Sequence, residues 1–222
     1  MNRGVWEGSL AAAMKNRVLV LGESHYGSDD ESKSVGDFVD YDTKDVVRNY
    51  LDMKKDGSGT YWARFFDLIA ESFGYEDYAE FYRRVYFGNF LDKLCGIGDH
   101  AASNIIRRDR ERLNCDLFNF VNENRIDTIV CFSILVYYNL PDRNPEHEAV
   151  ENSIVIGKIG ARNNILRRFR YEPAVSHDFC DTELLCGLTV FGIRHPSSQG
   201  GYNAGQVRDE LCKYPELRLN AI

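Results

Sequence analysis

The sequence contains no stretch of about 18 uncharged apolar residues, the length a membrane-crossing helix needs, and residues 1–7 lack the basic-then-apolar order of a secretory leader. Both absences point to a soluble, cytoplasmic protein with no membrane partner. Its six cysteines (Cys95, Cys115, Cys131, Cys180, Cys186, Cys212) include no C-x-x-C pair. Zinc and iron–sulfur centres want closely paired ligands, so no metal and no cofactor is expected, and cysteines within apolar runs read as buried thiols. Only five prolines occur, and no linker, repeat or low-complexity segment marks a boundary, so residues 1–222 are expected to form one domain. An excess of positive charge is also missing: 34 acidic against 27 basic residues give a net charge of −7. That balance opposes sequence-independent attraction to phosphate. Two arginine-rich stretches could offset it locally, Arg107, Arg108, Arg110 and Arg112, then Arg162, Arg167, Arg168 and Arg170. The ordinary alternative is two solvated helix faces.

What is present is apolar residues in quantity, 44% of the chain, enough for a sizeable core. Aliphatic runs at residues 17–21, 128–132 and 188–193 read as buried parallel strands, with a further strand possible at 153–156. Helical spacing covers Trp62, Phe65, Phe66, Ile69 and Phe73, then Tyr78, Phe81, Tyr82 and Val85. A long helix follows over Ile106, Leu113, Leu117, Phe120 and Val121, ending near Asn124. Residues 5–14 read as a short helix, 24–41 as a loop, and 134–140 as a short helical return. Strands alternating with helices predict an α/β fold, a three-layer α/β/α sandwich around a mainly parallel four-stranded sheet, with ligands beyond the carboxyl ends of its strands.

Two loops at such ends hold unusual residues. GESHYG (22–27) sets a carboxylate (Glu23), a hydroxyl (Ser24), an imidazole (His25) and a phenol (Tyr26) between glycines. These side chains could form a site, or simply cap the strand and start a helix. RHPSSQGGYN (194–203) joins His195, stiffened by the proline after it, to Ser197, Ser198 and two glycines, a set able to contact phosphate. A lone histidine is often a structural hydrogen bonder instead.

The order of these motifs resembles the uracil-DNA glycosylase superfamily, in which the first strand ends in GQDPYH or GEAPG and the last in a motif beginning HPS. YFGNFLD (86–92) adds an asparagine, Asn89, followed by a hydrophobic residue, as many relatives have. The resemblance spans residues 17–202 at the level of order. It departs from the pattern at His25, which replaces a proline, at Phe132 and Ser133, which replace a strand-ending glycine, and in the Ser-Gln-Gly-Gly that follows HPS.

The resemblance implies hydrolysis of the N-glycosidic bond of uracil or a related base in DNA, as in base-excision repair. Glu23 would position water and stabilise the cationic sugar, and His195 would donate to the departing base. Asn89 would read the base edge, and Tyr26 would exclude a thymine methyl. Phe38 would stack on the base, a role Tyr41 would serve equally well. Ser24, His25, Ser197 and Ser198 would touch nucleic acid, with Gln199 as the wedge. Two other readings stay open. One is a non-catalytic module of the same fold holding a nucleotide-like ligand. The other is an erythromycin-esterase-like hydrolase using Glu23 and His25.

Overall fold

A computed structural model describes residues 4–26, 42–58, 62–91, 94–96, 101–142, 153–159, 162–178, 180–197 and 201–220, without the side chains of Tyr26, Ile159 and Arg162. Nine strands are described: β1 (Trp6–Glu7), β2 (Val18–Gly22), β3 (His25–Tyr26), β4 (Tyr86–Asn89), β5 (Leu94–Cys95), β6 (Thr128–Cys131), β7 (Ser153–Ile159), β8 (Arg162–Tyr171) and β9 (Leu188–Gly192). The helices are α1 (Thr43–Lys55), α2 (Ala63–Ser72), α3 (Tyr78–Tyr82), α4 (Ala102–Arg108), α5 (Arg110–Asn124), α6 (Ile134–Asn139) and α7 (Ala204–Leu211).

Seven strands form one sheet in the order β1-β4-β2-β6-β9-β8-β7, while β3 and β5 pair separately. The expectation of a four-stranded sheet is therefore corrected. Strands β4, β2, β6 and β9 are mutually parallel, and antiparallel partners extend them at both edges: β1 on β4, then β8 on β9 and β7 on β8.

Alternation along the parallel strands builds two cores. Leu19, Leu21, Ile129, Cys131, Leu188 and Val190 face one helical layer of α4, α5 and α6. Val18, Val20, Val130, Phe132 and Phe191 face the other, made by α1, α2, α3 and α7. The chain is thus α/β with helices on both faces of the sheet. No helix among the described residues is long and apolar enough to cross a membrane.

Several local expectations change. Residues 5–14 do not form an α-helix: Trp6 and Glu7 pair with Phe87 and Tyr86 as an edge strand, and only Ala11–Ala13 turn helically, as a 3-10 helix. The pattern at 78–85 is a helix only to Tyr82, because Tyr86–Asn89 is drawn into the sheet beside β2. The long helix is interrupted at Asp109, and its second part stops at Asn124, where Arg125 takes a left-handed φ of 51°. The second arginine stretch lies on strand β8 rather than on a helix.

The close approach of α6 to β9 fixes the carboxyl end of the sheet. A methyl on Gly192 would fall 2.5 Å from the ring of Tyr137, which is fully buried. Gly192→Ala is therefore expected to cost about 1–3 kcal/mol by overpacking, read as a lowered midpoint in urea unfolding with unchanged slope.

Candidate active site at the carboxyl edge

The parallel register sets the site. Leu21 pairs with Cys131 and Cys131 with Gly192, so these residues stand in one row across β2, β6 and β9. Two residues further along the chain from each come Glu23, Ser133 and Arg194, and the ladder continues one residue past the row through Phe132 N–H to Leu21 O (2.9 Å) and Ile193 N–H to Cys131 O (2.8 Å). Residues two apart share a face, so the three side chains leave the sheet side by side.

Strand β8 closes the flank. Its Arg167 pairs with Gly192, the last residue of β9, so the part of β8 before Arg167 runs past the end of β9 and, among the described strands, pairs with β7 alone. The result is a cavity of about 380 Å³, lined on one side by Glu23, Ser133, Arg194 and His195. Asn163, Asn164 and Arg167 line it from the hairpin, with apolar residues of α6 and β8 between. This volume falls in the range of small-molecule sites.

Within the cavity, Ser133 Oγ donates to Glu23 Oε2 at 2.6 Å and accepts from Val136 N–H at 3.3 Å, so the cap of α6 also holds the carboxylate. The His195 ring stacks on Phe65, with centroids 4.9 Å apart and planes 20° from parallel. Its Nδ1 accepts from Ser197 N–H at 3.2 Å. Burial lowers the His195 pKa against the opposing pull of Glu23, which favours the neutral ring. With Nδ1 accepting, the neutral ring carries its proton on Nε2.

A second polar cluster adjoins this one. His25 Nε2 lies 3.0 Å from Asn89 Nδ2 and 3.1 Å from Thr43 Oγ1. An amide nitrogen only donates, so the imidazole is the acceptor and is neutral. Burial pushes the His25 pKa down to about 4, with the Asp42 charge opposing. Asn89 Oδ1 packs on the backbone of Gly22, where a methyl would sit 2.3 Å away.

Of the residues singled out from sequence, the structure brings Glu23 and His195 to one cavity and leaves Asn89 and His25 beside each other outside its lining. Ser24 Oγ is buried with no hydrogen-bond partner among the described residues, and Ser197 contributes its backbone N–H. Phe38, Ser198 and Gln199 lie outside the described residues, as does the Tyr26 side chain. Phe65 and Asn164 were not read as site residues, Ser133 was noted only as a departure from the family pattern, and Arg167 only within an arginine stretch. A serine between strand and helix is a cap signal, and two short apolar runs around the Gly-containing 157–161 segment are a hairpin signal.

The arginine stretches are largely engaged within the chain. Arg108 and Arg112 pair with Asp109, and Arg112 also with Asp116. Arg110 donates to the carbonyls of Asn139 and Leu140 at the end of α6. On β8, Arg168 pairs with Glu216, while Arg167 donates to Tyr138 Oη at 2.6 Å. Among the described residues no group of three or more His, Cys, Asp or Glu side chains could hold a metal ion, and all six cysteines are free thiols. No protein-family model and no curated protein matches the chain.

The depressed His25 pKa fixes a pH dependence. Its folded value of about 4 lies below the ordinary 6.5, so between these values the unfolded chain binds the proton first and stability falls as pH drops. The loss should approach about 3 kcal/mol near pH 4 and level off below it. Denaturation at a series of pH values should show a shallower decline for His25→Gln than for the wild type between pH 6.5 and 4.

Proposed function

We propose that the protein hydrolyses the N-glycosidic bond of uracil or a related base, in the manner of the uracil-DNA glycosylase superfamily its motifs resemble. The observation that carries this reading is that Glu23 and His195, from opposite ends of the sequence, line one cavity at the carboxyl end of a parallel sheet. The parallel run β4-β2-β6-β9, which brings the loops after β2 and β9 to one edge of the seven-stranded sheet, supports it.

The chemistry divides between the two side chains. As the bond breaks, positive charge develops on the sugar and negative charge on the base. Glu23, held by Ser133, orients a water and faces the cationic sugar. His195, neutral and protonated on Nε2, donates a hydrogen bond to the base oxygen that gains charge. A neutral donor suits this task because it needs no deprotonation to reset after product leaves. Phe65 holds the imidazole plane and Ser197 N–H holds its tautomer.

Substrate reaches the cavity either as a base in DNA or as a free nucleotide. The net charge of −7 and the engagement of the α4–α5 arginines in ion pairs favour a small or single-stranded substrate over a long duplex. The paired use of Glu23 and His25, as in the esterase-like reading, draws no support, because His25 faces Asn89 and Thr43.

Incubation with a uracil-containing single-stranded oligonucleotide, or with deoxyuridine monophosphate, should release free uracil detectable by chromatography. His195→Ala and Glu23→Gln should each slow release by about a hundredfold. No release from either substrate by the wild type would contradict the reading.

A further inference from the structure

The cavity lining carries more positive than negative charge: Arg167 and Arg194 contribute two guanidinium groups, and Glu23 contributes the one carboxylate among the lining residues. Both arginines are half-buried, whereas Arg108, Arg112, Arg168 and Arg170 are exposed. These exposed arginines pair with acidic neighbours, Arg108 and Arg112 with Asp109, Arg168 with Glu216 and Arg170 with Glu172.

Strand parity fixes where the two cavity guanidinium groups come from. Arg167 shares a face of β8 with Phe169 and Tyr171, which pack with the layer of α4, α5 and α6. Leu188 and Val190 face the same layer, so Gly192 and then Arg194 follow on that side of β9. Arg167 lies opposite Gly192, two residues before Arg194, which makes the two arginines diagonal neighbours. Arg167 is also braced: its Nε donates to Tyr138 Oη at 2.6 Å, its Nη1 to Ile165 O at 3.3 Å, and its guanidinium lies 5.3 Å from the centre of the Tyr138 ring. A side chain held in this way loses less freedom when an anion binds.

Glu23 stands at the far end of the same edge. The strand order β2-β6-β9-β8, with neighbours about 4.8 Å apart, sets its strand about 10 Å from β9 and about 14 Å from β8. The edge is thus polarised, with the carboxylate at one end and the guanidinium groups at the other. A nucleotide laid along it places its anomeric carbon by Glu23 and its phosphate at the arginines, since the reverse orientation sets phosphate against carboxylate.

We infer that Arg167 and Arg194 bind the terminal phosphate of a nucleoside 5′-monophosphate, so that the substrate is a free mononucleotide rather than DNA. This rests on the glycosylase reading of the same cavity. A terminal phosphate offers three acceptor oxygens and up to two charges to the forked N–H groups of arginine, more than an internal phosphodiester does. A polynucleotide runs along the outside of its protein and draws on cations displayed there. Here the exposed arginines named above face acidic partners, and the cavity itself holds two guanidinium groups.

Titration with deoxyuridine monophosphate and with deoxyuridine, followed by NMR, reads the phosphate site. Uracil release from both, and from an oligonucleotide with an internal uracil, reads the substrate. The wild type should bind the monophosphate about a hundredfold more tightly than the nucleoside, and release uracil from it faster than from the oligonucleotide. Arg167→Met and Arg194→Met should each cut that binding preference by about tenfold or more, and Arg168→Met should leave it unchanged. Because Arg167 also braces Tyr138, thermal melts accompany the variants, and Arg194→Met gives a separate reading. A preference absent from the wild type, or retained in both Arg167→Met and Arg194→Met, overturns the inference, and uracil release from the oligonucleotide then leaves the glycosylase reading standing. Faster release from the oligonucleotide than from the monophosphate overturns it as well. Phosphate-dependent binding that both variants lose, without uracil release from any of the three, supports the phosphate site and overturns the glycosylase reading.

Discussion

The in-register alignment of β2, β6 and β9 is the constraint from which the site follows. Parallel strands bring their carboxyl ends to one edge, and the row Leu21, Cys131, Gly192 ensures that the next residues of the same parity emerge level with one another. A slip of one residue in any of the three would turn its polar side chain into the opposite core. Both cores are apolar, so the hydrophobic effect that builds the sheet also polices the geometry of Glu23, Ser133 and Arg194.

Burial then sets the charge states. His25 and His195 are both held neutral by desolvation, each against a single opposing carboxylate. The result is a site with one anion, two guanidinium groups and one neutral imidazole, inside a protein whose overall charge is negative. Local field and net charge therefore point in different directions. The two guanidinium groups of the cavity suit a ligand with a limited, localised negative charge.

The parts of this arrangement legible in the sequence were those with strong, continuous signals. The aliphatic runs at 17–21, 128–132 and 188–193 pointed to three of the parallel strands, which span Val18–Gly22, Thr128–Cys131 and Leu188–Gly192, and the polar residues just after the first and third drew attention to Glu23 and His195. Tyr86–Asn89 escaped because four residues with an internal glycine carry no period, and the strand exists only through pairing with β2. Trp6 and Glu7 were absorbed into a helical pattern for the same reason. Arg162–Tyr171 was hidden by its arginines, which suggested a solvated helix face, although the segment alternates as a strand once β9 is beside it. Asn164 had no local signal at all. Its burial without a side-chain hydrogen-bond partner among the described residues is visible only when its neighbours are known.

The central claim is that His195 presents a neutral Nε2–H to a ligand sharing its cavity with Glu23. Long-range proton–nitrogen NMR of the imidazole side chains tests this most directly. At pH 7 the His195 ring should give the pattern of a neutral ring protonated on Nε2, and the Nε2 signal should move when uracil is added. A doubly protonated ring, a proton on Nδ1, or an Nε2 signal indifferent to saturating uracil would contradict the account.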